Sequence, residues 1–144
     1  MKASLGLRSD GAELGRLVGF AEEFARCHSL PETERARLLV ILEELFTNAV
    51  NYGYPEGAAA TGRIEIGLAV KKGRLEIHFS DDGRPFDPLS HTPPDLDRVP
   101  ADRPLGGLGL HLLRSFVDDA RYRRDRGRNR LALIRKLRPA LLRG

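Results

Sequence analysis

Between residues 53 and 63 the apolar residues of this chain change from helical period to alternation, and that change narrows the possible folds more than any other feature. Before it, Leu14, Leu17, Val18, Ala21, Phe24 and Ala25 recur at helical spacing to about His28. Asp10 followed by Glu13 resembles a capping box at the start of that helix. Pro31 then stands where a second helix would begin. Its core stripe is Leu38, Leu42, Leu45, Phe46 and Ala49, and Gly53 and Pro55 stop it after about Tyr52. Past the change, Ile64, Ile66, Leu68 and Val70 alternate with polar or small residues. Leu75, Ile77 and Phe79 do so again after a turn at Lys71-Lys72-Gly73. This predicts an antiparallel hairpin with one buried face. Residues 3–8 suggest a further strand, and a last hairpin is expected near 120–125 and 129–137, around Arg126-Gly127.

Between the two hairpins the pattern lapses. Six of the nine prolines fall in residues 83–107, where apolar residues are sparse. A loop of this length is either disordered or functional, such as a lid. It ends in "GGLGLHLLRSFVDD", which enters a helix of about 12 residues. Neither an internal repeat nor a second domain is evident, so one domain over 1–144 is expected, with a lid at about 84–106.

Apolar residues make up 41% of the chain and charged residues 31%, the balance of a soluble globular protein. No apolar run approaches the roughly 20 residues of a membrane span, and no continuous apolar stretch follows Lys2 as a signal peptide would require. A cytoplasmic protein without membrane contact is expected. The single cysteine, Cys27, follows Phe24 at helical spacing and reads as a small core residue. His28, His78, His91 and His111 have no metal-ligand spacing, and His78 is expected to face outward from its strand. The net charge of +4 is uneven: residues 121–144 carry +9, which leaves −5 to the rest. A basic end suggests nucleic acid. No aromatic stacking platform accompanies these arginines, however, so they read as a solvated strand face and tail.

Three short segments carry chemistry. In "EELFTNAVNYGYP", residues 43–55, Glu44 and Asn48 lie four apart, about 40° around a helix, and share one stripe. A carboxylate beside an amide oxygen, a hard ligand, suits Mg²⁺; alone, the pair also fits a solvated helix edge. In "HFSDDGRPFDP", residues 78–88, the inward phase of Leu75, Ile77 and Phe79 continues to Asp81. A carboxylate at the edge of a core needs a donor partner, and the exocyclic amine of a base would serve. Gly83 lets the backbone pass close to whatever sits there, although an Asp and Gly at a strand end also make an ordinary turn. In "GGLGLHL", residues 106–112, glycines expose backbone N–H groups at a helix start, a natural phosphate cradle. The pattern lacks the Gly-Lys-Ser/Thr of a P-loop.

The order of these segments resembles the GHKL ATPase superfamily, and more closely its small bacterial members, the anti-sigma factor serine-protein kinases. "EELFTNAVNYGYP" resembles their asparagine box, "DDGRPFDP" their first glycine box, "GGLGLHLLRSFVD" their second, and "GRNRLALIRKL" their last strand. The resemblance implies a Bergerat-type fold: an α/β two-layer sandwich, with a mostly antiparallel mixed sheet and helices on one face. It implies ATP and Mg²⁺ as cofactors. Asn48 would ligate the metal, and Glu44 would be the general base or orient the attacking hydroxyl. Asp81 would accept from the adenine amine, with Gly83 beside the base. Gly107, Gly109 and Leu110 would form the turn at the phosphates. Asn129 stands where many relatives have Thr near the adenine, and its phase with Leu131 and Leu133 points it inward. Arg84, Arg98 and Arg103 are candidates to reach the γ-phosphate. Tyr52 stands where several relatives have His.

The implied function is ATP-dependent phosphorylation of a serine on an anti-sigma factor antagonist, a STAS-type domain, by a protein that also sequesters a sigma factor. A homodimer is implied as well, without direct nucleic-acid contact. An ATP-binding regulatory module without kinase activity is the alternative. Glu44 separates the two, because a base on this helix suits a hydroxyl acceptor.

Overall fold

The structure, a computed structural model, describes residues 2–54, 62–89 and 113–137. Strand β1 (Lys2–Arg8) leads through a single 3-10 turn at Gly11–Glu13 into α1 (Leu14–Cys27). Helix α2 (Glu32–Tyr52) follows, with Pro31 as its N-cap. Then come β2 (Arg63–Lys71), β3 (Arg74–Asp81), helical residues 113–116, β4 (Asp119–Asp125) and β5 (Arg128–Lys136). The five strands form one sheet in the order β1-β2-β3-β5-β4, and every pairing is antiparallel.

Local chemistry explains the turns. Lys72 and Gly73 have φ of 50° and 74°, and Arg126 and Gly127 have 50° and 79°. Two successive residues with positive φ make the two-residue hairpin turn whose twist matches that of the strands. Glycine takes the second position at no steric cost.

The alternation seen in the sequence becomes the two faces of the sheet. Ile64, Ile66, Leu68, Leu75, Ile77, Phe79, Leu131 and Leu133 point inward and are buried. Against them pack Leu17, Ala21 and Phe24 of α1, and Leu38, Ile41, Leu42, Leu45, Phe46 and Ala49 of α2. Each of these Leu, Ile and Phe side chains contributes about 1.5–3 kcal/mol on burial, which holds the helical layer to one face. His78 lies on the other face and is exposed.

Two expectations need correction. Cys27 is exposed, with its thiol beside Glu23. At 3.6 residues per turn it lies well off the stripe of Leu17, Ala21, Phe24 and Ala25. The capping box is half formed: Asp10 Oδ1 accepts from Ala12 N–H at 3.0 Å, but Glu13 turns the other way. Its Oε2 accepts from Arg8 N–H and from Arg16, both at 3.0 Å. The backbone bond from Arg8 is the chief cause that holds this carboxyl below its ordinary value.

Two links tie sheet to helices. Glu34, 1% exposed, receives Arg135 through two bonds of 2.9 and 3.3 Å. The same guanidinium donates to the Phe116 carbonyl at 2.8 Å and lies over the Phe116 ring at 4.6 Å. One arginine therefore joins α2, β5 and the 113–116 helical stretch. The basic strands are thus not all solvated. Arg121 and Arg123 are exposed on the outer face, but Arg124, Arg128 and Arg135 donate hydrogen bonds within the protein.

Candidate functional site

The pairing register decides what gathers at one end of the sheet. Asp81 lies opposite Ile64 on β2 and opposite Asn129 on β5, and Asn129 lies opposite Arg124 on β4. A slip of one residue would turn this row to the outer face. As the sequence predicts, Asp81 and Asn129 face inward, 8% and 7% exposed. Asp81 Oδ1 accepts from Gly83 N–H and from Asn129 Nδ2, both at 2.9 Å. The Asn129 amide also donates to the Arg84 carbonyl at 2.9 Å. Its oxygen accepts from Phe86 N–H at 3.1 Å and from the Tyr122 hydroxyl at 2.6 Å.

Gly83 is required here by its neighbours. A Cβ at this position would stand 2.6 Å from the Gly53 carbonyl oxygen and 3.0 Å from Asp81 Oδ1. The close approach lets Arg84 N–H donate to that same Gly53 oxygen at 2.7 Å, while Arg124 donates to the Gly83 carbonyl at 2.7 Å. The C-terminal end of α2 is therefore fastened to the loop that follows Asp81. Tyr54 adds to this fastening. Its hydroxyl donates to Asp82 Oδ1 at 2.7 Å, and Arg63 N–H reaches the same oxygen at 2.9 Å. Burial, then the bond to Asp82, pushes the Tyr54 phenol far above its ordinary range. Burial also acts to raise the Asp82 carboxyl, but its donors outweigh this and hold it below the ordinary value.

Asn48 lies five residues back along α2 from Gly53, about 7.5 Å along the helix axis. Its Nδ2 donates to Glu44 Oε1 at 3.1 Å, and both side chains are partly buried. A carboxylate can only accept, so the amide nitrogen faces Glu44 and the amide oxygen remains for a cation. Burial pushes the Glu44 carboxyl above its usual value, and the Asn48 bond only partly opposes this. Among the described residues no group of three or more His, Cys, Asp or Glu could hold a metal ion. The donor set suits Mg²⁺ all the same, since that ion is commonly held by one or two protein oxygens together with substrate phosphates and water.

The structure thus brings Glu44 to Asn48, and Asp81 to Gly83 and Asn129, with the Gly53–Gly83 contact between the two groups. Gly107, Gly109, Leu110, Arg98 and Arg103 lie outside the described residues. Arg84 is described, and its backbone N–H and carbonyl are both engaged in the site. Sequence reasoning missed Tyr122, Arg124 and Tyr54. The first two had a signal: Ala120, Tyr122 and Arg124 alternate along β4 in phase with the inward residues of β5.

Residues 7–135 match the family model described as histidine kinase-like ATPase domain. The serine/threonine-protein kinase BtrW of Bordetella bronchiseptica is 31% identical over 99 residues, which cover 69% of this chain and 68% of that one. The serine-protein kinase RsbW of Bacillus licheniformis is 34% identical over 101 residues, 62% of this chain and 58% of its own. The chain spans a little over half the length of the Bacillus relatives. Among solved structures, the RsbU and RsbW domains of a Mycobacterium tuberculosis protein match 96% of this chain and 33% of that one, with a TM-score of 0.68 at 17% identity. The histidine kinase domain of a blue-light activated histidine kinase from Erythrobacter litoralis covers 91% of this chain and 62% of its own, with a TM-score of 0.55 at 19% identity. These structural likenesses concern the fold. With the antiparallel sheet, the one-sided helical layer and the relatives named as serine-protein kinases, the match over residues 7–135 shows that this chain belongs to the histidine kinase-like ATPase domain family.

Proposed function

We propose that this chain transfers the γ-phosphoryl group of ATP to a serine hydroxyl of a partner protein. The observation that carries the reading is the Glu44–Asn48 pair: a partly buried carboxyl of raised pKa that accepts at 3.1 Å from the Asn48 amide nitrogen, a bond that does not use the amide oxygen. Phosphoryl transfer needs mainly positioning and charge neutralisation. Asp81 would accept the adenine amine, with Gly83 beside the base, and Asn48 would hold the cation that neutralises the phosphates. Gly107, Gly109 and Leu110 would form the phosphate turn. Glu44 would orient the serine hydroxyl and take its proton. The serine oxygen forms a bond to the γ-phosphorus, the bridging oxygen leaves with ADP, and the products are ADP and phosphoserine. A carboxyl with a raised pKa is a stronger base once ionised, which suits this step.

The names of the relatives support a serine acceptor. The finer reading is that the acceptor is an anti-sigma factor antagonist of the STAS type. The same chain, as a cytoplasmic homodimer of single domains, would sequester a sigma factor. No helix among the described residues is long and apolar enough to cross a membrane.

The first test is calorimetric titration of the purified chain with ATP, in Mg²⁺ and again in EDTA. Magnesium-dependent binding is expected, and an Asn48→Ala variant should lose the magnesium-dependent part. A variant that still bound Mg·ATP normally would overturn the assignment of Asn48. Transfer of label from γ-phosphate-labelled ATP to a STAS-type domain of the same organism then separates a kinase from an ATP-binding module without kinase activity.

A further inference from the structure

Asn129 is expected to face the nucleotide, yet its side chain has nothing left to offer one. An asparagine amide has two N–H donors and two acceptor positions on its oxygen. Here the donors go to Asp81 Oδ1 and the Arg84 carbonyl, each at 2.9 Å. The acceptor positions are filled by Phe86 N–H at 3.1 Å and the Tyr122 hydroxyl at 2.6 Å. All four valences close within the protein, in a residue only 7% exposed.

The orientation of that amide has one solution. Asp81 and the Arg84 carbonyl only accept, and Phe86 N–H only donates. A reversed amide would set oxygen against two acceptors and nitrogen against a donor. Tyr122, on the edge strand β4, supplies the fourth contact, the shortest of the set. The consequence falls on Asp81. Its Oδ1 is occupied by Gly83 N–H and Asn129, and among the described residues no donor reaches Oδ2.

We infer that the Tyr122–Asn129 pair is a positioning device that fixes the rotation of the Asp81 carboxylate and thereby sets the choice of purine. The inference rests on the ATP reading of the site. Oδ2 only accepts, so the ligand edge that meets it must donate. The 6-amino group of adenine does so, while the 6-oxo group of guanine sets acceptor against acceptor. A carboxylate free to rotate would discriminate less, because water or a turned oxygen could mediate the guanine contact. Neither Tyr122 nor Asn129 need touch the nucleotide; both act through Asp81.

The test compares MgATP and MgGTP affinities, measured by calorimetry, for the wild-type chain and for Tyr122→Phe, Asn129→Ala and Asn129→Thr. Thermal unfolding of each checks that it is folded. Tyr122→Phe removes one oxygen and keeps the half-buried ring, so it protects the test against a simple failure to fold. It should weaken ATP binding about 5-fold, the worth of one neutral hydrogen bond, and leave GTP binding unchanged, so that the ATP-to-GTP ratio narrows. Asn129→Ala should narrow the ratio about 10-fold or more, and Asn129→Thr, which keeps a hydroxyl donor, should restore part of it. Folded variants that keep the wild-type ratio, or that lose ATP and GTP affinity equally, would overturn the inference while leaving the ATP site intact. A wild-type chain that binds neither nucleotide would overturn the ATP reading first, and the base-reading role with it.

Discussion

Glu44 is a residue whose proposed work and whose stability pull in opposite directions. Burial raises its carboxyl above the ordinary value, so near neutral pH the folded state carries a charge it disfavours. The folded state then binds more protons than the unfolded one between the two pKa values, and stability falls as pH rises through that window. Removing the charge should help the fold and harm the reaction. Glu44→Gln is expected to melt at the same temperature as the wild type at pH 7, or higher, and to bind MgATP normally. Its label transfer should fall at least about 100-fold, the usual worth of a positioned base. Scanning calorimetry beside a transfer assay measures both, and a variant with wild-type transfer would remove Glu44 from the mechanism.

At the scale of elements, the Glu34–Arg135 link shows what one long-range pair can hold. Its partners are 101 positions apart, Glu34 is 1% exposed, and Arg135 also binds the Phe116 carbonyl. Buried pairs of this kind owe little to their net attraction, but breaking one leaves an uncompensated charge, at a cost of about 3–5 kcal/mol. Glu34→Ala and Arg135→Ala should each lower denaturant-unfolding stability by that amount. The double variant Glu34→Leu/Arg135→Met should recover most of it. If each single change cost under about 1 kcal/mol, the pair would not be clamping α2 to the sheet. Gly83 belongs to the same scale. Gly83→Ala places a methyl group 2.6 Å from the Gly53 oxygen, where backbone must move. A cost of about 1–3 kcal/mol is expected, together with weaker ATP binding in calorimetry, because the shifted loop carries Asp81's partner N–H.

The whole molecule is a one-sided sheet, and its stability should be graded across the strands. Strand β3 is paired on both sides and buries Leu75, Ile77 and Phe79. Strand β4 is an edge whose Arg121 and Arg123 are exposed; charge on an edge guards against pairing with other chains. Amide hydrogen exchange should therefore be slowest in β3 and faster in β4. Acid should act on the molecule as a unit. Glu13, held low chiefly by the Arg8 N–H, and Asp82, held low by its donors against burial, have depressed carboxyl pKa values. Their contribution is complete above the ordinary carboxylate value and is lost as pH falls through the folded one. A melting temperature that declines steadily below about pH 4 is the expected profile, and a flat one would show that neither carboxylate is held as described.

Much of this protein was legible in its sequence because the rules that set it are local. The switch of period marked α1, α2 and both hairpins. Phase along β3 and β5 turned Asp81 and Asn129 inward, and i,i+4 spacing put Glu44 beside Asn48. Such facts depend on neighbours a few residues away, which the sequence prints directly. Cys27 shows where the rule fails: helical spacing from one core residue does not place a side chain on the stripe, and the thiol is exposed. What tertiary structure alone decided was which distant atoms meet. The register that sets Asn129 opposite Asp81, 48 positions away, closes the amide network with Tyr122. The approach of Gly83 to Gly53 joins helix to loop, and Arg135 finds Glu34. Each depends on strand pairing and helix packing over long stretches of chain. No local period encodes that pairing, and close packing fixes it only once the whole core is in place.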